Sequence, residues 1–204
     1  MKSLYAQLMV AATLLLGSSA AFAQLGNGGA AYADKDGGGN VAGPLLNKFV
    51  AGSQSVLAGE AGMLGALGLK ADADKASAQL KALEQEVTRG VLEAMIKGQA
   101  DSNAALVQKL GAAVTLDADA KMQFGSGVTE LARGMTQYAG LTQDAATVKK
   151  TMRGGASGTS PALYAAKALS SSLDELKRTL KMALDVAKAN NIALGPEAAE
   201  AAAL

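Results

Sequence analysis

Between Leu45 and Leu69 apolar residues fall on nearly every side of what the spacing predicts to be one helix, and few folds accept such a segment. At 3.6 residues per turn, Leu45, Phe49, Val56, Met63 and Leu67 form one narrow stripe. Leu46, Val50, Leu57 and Leu64 form a second, about 100° round the helix. Past Ser55 the positions between the stripes are almost all Ala or Gly. A helix that is apolar or small all round is buried among other helices or lies in a membrane. Gly52, Gly59, Gly62, Gly65 and Gly68 each cost about 1 kcal/mol relative to Ala in a helix. Neighbouring elements must therefore hold the segment in shape. One charge interrupts it: Glu60 projects between the stripes, with Ser53 one heptad earlier on the same line.

Residues 1–23 read as a secretory signal, with Lys2 at the positive start, an apolar core from Leu8 to Leu16, and Ala21-Phe22-Ala23 as the small-x-small cleavage site. Cleavage would leave 204 − 23 = 181 residues, with 19 − 1 = 18 basic side chains against 18 acidic. The mature chain is then formally neutral, and it is expected in the periplasm or outside the cell. That length suits a single domain able to bury a core of its own. A core is needed, because the chain contains no cysteine and so no disulfide.

Residues 24–43 carry seven glycines and predict a flexible, mobile leader. Asp34-Lys35-Asp36 inside it resembles the start of a calcium loop, but position 12 of that loop would be Leu45 rather than a bidentate Glu. A solvated linker accounts for these residues. Pro44 then opens the first helix.

A second helix is expected from Asp72, with the stripe Ala76, Leu80, Leu83, Val87, Val91 and Met95, ending or kinking at Gly98. A third runs from about Asp101 with Leu106, Val107, Leu110 and Val114 inward. A fourth starts near Asp117 and presents Phe124, Val128, Leu131, Met135 and Tyr138. A short helix follows from Thr142 to Met152, stopped by Gly154-Gly155. After a polar linker, Ser160 caps and Pro161 begins the clearest helix, with Ala166, Leu169, Leu173, Leu176, Leu180, Ala183 and Ala187 inward. Residues 196–204 read as a frayed, alanine-rich tail. No stretch alternates as a strand would. The expectation is an all-α bundle of about five to six helices, spanning residues 44–195.

The chain has no His and no Cys, so thiol nucleophiles, the usual triads and zinc sites cannot be assembled. Gly125-Ser126-Gly127 lacks the third glycine of a dinucleotide loop, since position 130 is Glu. The Asp-Ala-Asp pairs at 72–74 and 117–119 are explained by helix capping without a metal. A neutral chain whose one basic knot is Lys149-Lys150 with Arg153 is ill suited to nucleic acid. The reading is therefore not an enzyme, with no catalytic residue, no cofactor and no metal. It is an exported soluble bundle acting by binding, in envelope maintenance, assembly or carriage of an apolar ligand, with an unidentified protein or apolar molecule as partner. The alternative is a membrane-active protein that inserts residues 56–69, a segment whose Gly, Ala and Leu also suit packing in a bilayer. In either case Glu60, with Ser53, is the residue pair to watch. It is either a structural ion pair with an arginine or lysine, a pH-sensitive site, or a solvent-facing side chain.

Overall fold

Gly59 and Gly127 meet backbone to backbone, and that contact sets the architecture. In the computed structural model the described residues are 41–85, 87–152 and 160–204, all within one unit, Tyr32–Leu204. The signal, residues 24–40 of the leader with the Asp34 motif, and the linker at 153–159 lie outside them, while the last leader residues enter the first helix, which begins at Ala42 rather than Pro44. Among the described residues there are seven helices and no strand. They are α1 (Ala42–Ala66), α2 (Lys70–Gln85), α3 (Arg89–Leu110), α4 (Ala118–Gly140), α5 (Thr142–Thr151), α6 (Pro161–Ala189) and α7 (Pro196–Ala202). The fold is the expected all-α bundle.

α1 is central, packing chiefly on α4 and also on α2, α3 and α6, while α3, α4 and α5 close round α6. Both stripes of α1 are buried, from Leu45 and Leu46 through Met63 and Leu64 to Leu67 just beyond its end. The glycines explain how a neighbour comes so close. A Cβ on Gly59 would stand 2.5 Å from Leu131 N and 2.7 Å from Gly127 O. One heptad along, a Cβ on Gly134 would stand 2.8 Å from Gly52 O. Gly52 thus faces Gly134 and Gly59 faces Gly127, which makes α1 and α4 antiparallel. Phe49 and Tyr138 complete the interface with stacked rings, 4.9 Å apart and 2° from parallel. At the end of α1, Gly68 adopts φ +78°, a left-handed conformation that turns the chain into α2.

Several expectations need correction. The helix read from Asp72 to Gly98 is broken at Val87–Thr88 into α2 and α3. Thr88 caps α3, its hydroxyl accepting from Val91 N at 3.3 Å. Gly98 lies inside α3, where its missing Cβ admits the Gln79 side chain of α2. Val114 is not helical but sits in the loop before α4, its carbonyl accepting from Asn190 Nδ2 at 2.9 Å. The tail expected to fray instead forms α7, because Gly195-Pro196 starts a helix whose Ala198 and Ala201 are small enough to bury, with α7 lying against α4. Elsewhere the stripes of α4 and α6 point inward as their spacing required. Asp117 caps α4 by accepting from Ala120 N at 2.8 Å, whereas Ser160 before α6 makes no cap bond.

Candidate functional site

Glu60 has 0 % of its surface exposed, in a core made mostly of apolar side chains. Its position is dictated by α1: the exposed side of that helix runs through Pro44, Asn47, Lys48 and Ala51, and Glu60 projects from the opposite side into the core. The solvent-facing reading is therefore overturned. Among the described residues no lysine or arginine forms an ion pair with it, and Arg153 lies outside them. Arg89 bonds Glu93 at 2.7 Å, and Arg133 bonds Glu130 at 2.7 Å and reaches Glu197 at 3.8 Å.

The partner is a neutral amide from α3. Asn103 Nδ2 donates to Glu60 Oε1 at 3.1 Å and to the Gln99 carbonyl, one turn back, at 3.0 Å. Among the described residues Glu60 Oε2 has no hydrogen-bond partner, nor do Asn103 Oδ1, the Gln99 side-chain amide and Thr179 Oγ1 of α6. Ser53 donates to the Phe49 carbonyl at 2.8 Å. Having spent its one hydrogen there, it must accept from the Tyr138 phenol, 2.7 Å away. Ser53 and Glu60, on the same line of α1, thus face one polar group each from α4 and α3.

Burial without a countercharge pushes the Glu60 carboxyl well above its ordinary range, and the negative Glu175 of α6 adds to the shift. The Tyr138 phenol is pushed up by the same loss of water, eased by its bond with Ser53 and by the nearby Gln99 amide, though Gln99 forms no well-shaped hydrogen bond. In both groups burial favours the protonated, uncharged form. Among the described residues no lysine or arginine pairs with the Glu60 carboxyl or the Ser53 and Thr179 hydroxyls. Among the described residues no three acidic side chains gather where they could hold a metal ion.

Gln99 and Asn103 were not legible as interior residues, because Gly98 looked like the end of a helix. The signal was there in the continuous phase Leu92, Met95, Gln99, Asn103, Leu106 and Leu110, all of them buried.

A second feature lies on the surface. An open groove of about 370 Å³ runs between α4 and the chain after α6, lined by Lys121, Met122, Gly125, Ser126, Thr129 and Asn191–Ala193. At Gly125 the missing Cβ lets the Ile192 side chain pack against α4, 2.9 Å from where a Cβ would stand. Met122 at its rim is 69 % exposed, far more than any other large apolar side chain here except the terminal Leu204. The far wall is pinned by Asn190, which donates to the Val114 and Val186 carbonyls and accepts from Leu116 N at 3.0 Å.

Comparison with protein-family models, with curated proteins and with solved structures finds no match to this chain.

Proposed function

We propose that this protein is exported through its N-terminal signal and works by binding a protein partner rather than by catalysis. The observation that carries the reading is the groove on α4, where Met122 stands 69 % exposed beside Lys121, Ser126, Thr129 and Asn191. A flexible, polarisable side chain next to a few polar groups suits a surface that grips an apolar side chain of another protein. The buried cluster favours the same conclusion from the other direction: with Glu60 sealed from solvent, its carboxyl has no route to a substrate. Export rests on the signal-like residues 1–23. The membrane-active alternative would require α1 to leave α4. No described helix is long and apolar enough to cross a membrane.

A photoreactive amino acid placed at Met122, and separately at exposed Lys181 on α6, tests the reading in intact cells. A discrete adduct from position 122, absent from position 181 and abolished by Thr129→Arg, is expected. Equal adducts from both positions, or none from 122, would remove the groove from consideration. Mass spectrometry of the same samples checks export, the expected N-terminus being Gln24. Sedimentation with liposomes is the parallel check on the membrane reading.

A further inference from the structure

The interior cluster carries an inference independent of the groove. We infer that Glu60 is a proton-operated latch: the carboxyl enters the core only with its proton, and losing that proton undocks α3 from α1. The geometry identifies the moving part. α1 meets α4 backbone to backbone along the glycine seam, and α4 is its most extensive packing partner. α3 instead meets Glu60 through one amide, Asn103, and leaves Asn103 Oδ1 and the Gln99 side chain unpartnered at that contact. It is also bounded by non-helical chain at Val87–Thr88 and again between Gly111 and Asp117.

No described group round the carboxyl carries a positive charge, and the one donor aimed at it is the Asn103 amide. α3 offers the uncharged amides of Gln99 and Asn103, and α4 the neutral phenol of Tyr138. α6 offers Glu175, whose charge repels that of Glu60. The charged side chains of α2 lie on its outer side, and Asp144 of α5 is near Lys48 at 3.8 Å. Ionisation therefore leaves a buried anion with one neutral hydrogen bond, a state relieved by letting water in. Opening between α1 and α3 does so while sparing the α1–α4 seam.

The sign follows from proton linkage. The closed form binds the proton more tightly than the open form. Closure is thus strongest below the ordinary carboxyl value of 4.5 and weakens as pH rises towards the raised value of the closed form. In that window the opening constant should grow about tenfold per pH unit, one proton being released per opening. Above it the constant levels off.

Native-state hydrogen exchange on the full chain, corrected for the chemical exchange rate at each pH, reads this directly. Amides of α3 between Gln99 and Leu106 should open at least tenfold more often than those of α4 between Gly127 and Gly134 at pH 7.5, and the gap should close near pH 4.5. In Glu60→Gln, which keeps an acceptor for Asn103 without a titratable proton, the α3 opening constant should vary less than twofold over the same range. One common opening constant for α3 and α4 at every pH, or a wild-type gap preserved in the glutamine variant, would overturn the latch. A second measurement needs no variant: the ¹³C shift of the Glu60 carboxyl should stay that of the protonated acid well above pH 4.5. Titration of that signal at the ordinary carboxyl value would equally refute the inference.

Discussion

Replacing Gly59 by alanine tests the α1–α4 seam most directly. The added Cβ would stand 2.5 Å from Leu131 N and 2.7 Å from Gly127 O, and both obstacles are backbone. Ordinary contact begins near 3.4 Å, so the helices must part by roughly 3.4 − 2.5 = 0.9 Å over the seam. Overpacking of this kind costs typically 1–3 kcal/mol, and a rigid obstacle places Gly59 in the upper part of that range. Against it stands the gain of about 1 kcal/mol from replacing a mid-helix glycine by alanine. The net loss is about 1–2 kcal/mol, or roughly 2–8 °C in melting temperature for a chain of this size. Gly140, at the last position of α4, is the control, since a Cβ there meets nothing within 4 Å. Gly140→Ala should be neutral or raise the midpoint by up to about 4 °C. Gly127→Ala should behave like Gly59→Ala, and the double variant should lose less than the sum, because helices already parted admit the second methyl more cheaply. Differential scanning calorimetry separates these outcomes. A Gly59→Ala midpoint at or above that of wild type would refute the close-contact account of the seam.

The remaining predictions concern the core and its polar inclusions. Thermal melts of wild type and Glu60→Gln should diverge as pH rises: the raised folded value means that stability from Glu60 is fully present below about pH 4.5 and is lost above it, so the glutamine variant should be the more stable at pH 7.5. Melts that stay parallel would show that Glu60 ionises freely in the folded chain. Ser53→Ala leaves the buried Tyr138 hydroxyl without its acceptor and should cost about 1–3 kcal/mol in urea unfolding, part of which Tyr138→Phe in the same chain should restore. Leu176→Ala, at 1 % exposure on α6, should cost about 2–5 kcal/mol, whereas its neighbour Lys177→Ala should stay within about 0.5 kcal/mol of wild type.

Much of this was legible because the long helices have strong periods. Phe124 to Tyr138 on α4 and Ala166 to Ala187 on α6 announce their faces by spacing alone, and both stripes are buried. Glu60 stood out as a lone charge in an apolar segment. Its partner did not, since a polar side chain such as Asn103 reads as solvent-facing until its helix is known to be covered. The break at Val87–Thr88 was hidden because Leu83, Val87 and Val91 keep their spacing of four across it. There a threonine cap decides against the hydrophobic period. The glycine seam was half visible. The glycines of α1 said that a neighbour must come close, but not that Gly127 and Gly134, also seven apart, belong to that neighbour. Tertiary contact between distant helices leaves no local signal. α7 was missed for a related reason: alanines bury without forming a recognisable stripe.

The pairing of the first helix with the fourth also governs the order in which the chain can fold. Gly59 and Gly127 are separated by 127 − 59 = 68 positions, with all of α2 and α3 between them. Bringing the two together costs about 4 kcal/mol of loop-closure entropy, beyond a constant term, before any contact is returned. α1, weakened by its own glycines, has little helical stability to wait on. During synthesis at about 5–20 residues per second, its partner surface emerges roughly 3–14 s after it does. For that interval the α4-facing side of α1, with Gly52, Gly59 and Val56, has no partner. The seam that makes the finished molecule rigid is, during synthesis, the last of its large interfaces to become possible for α1.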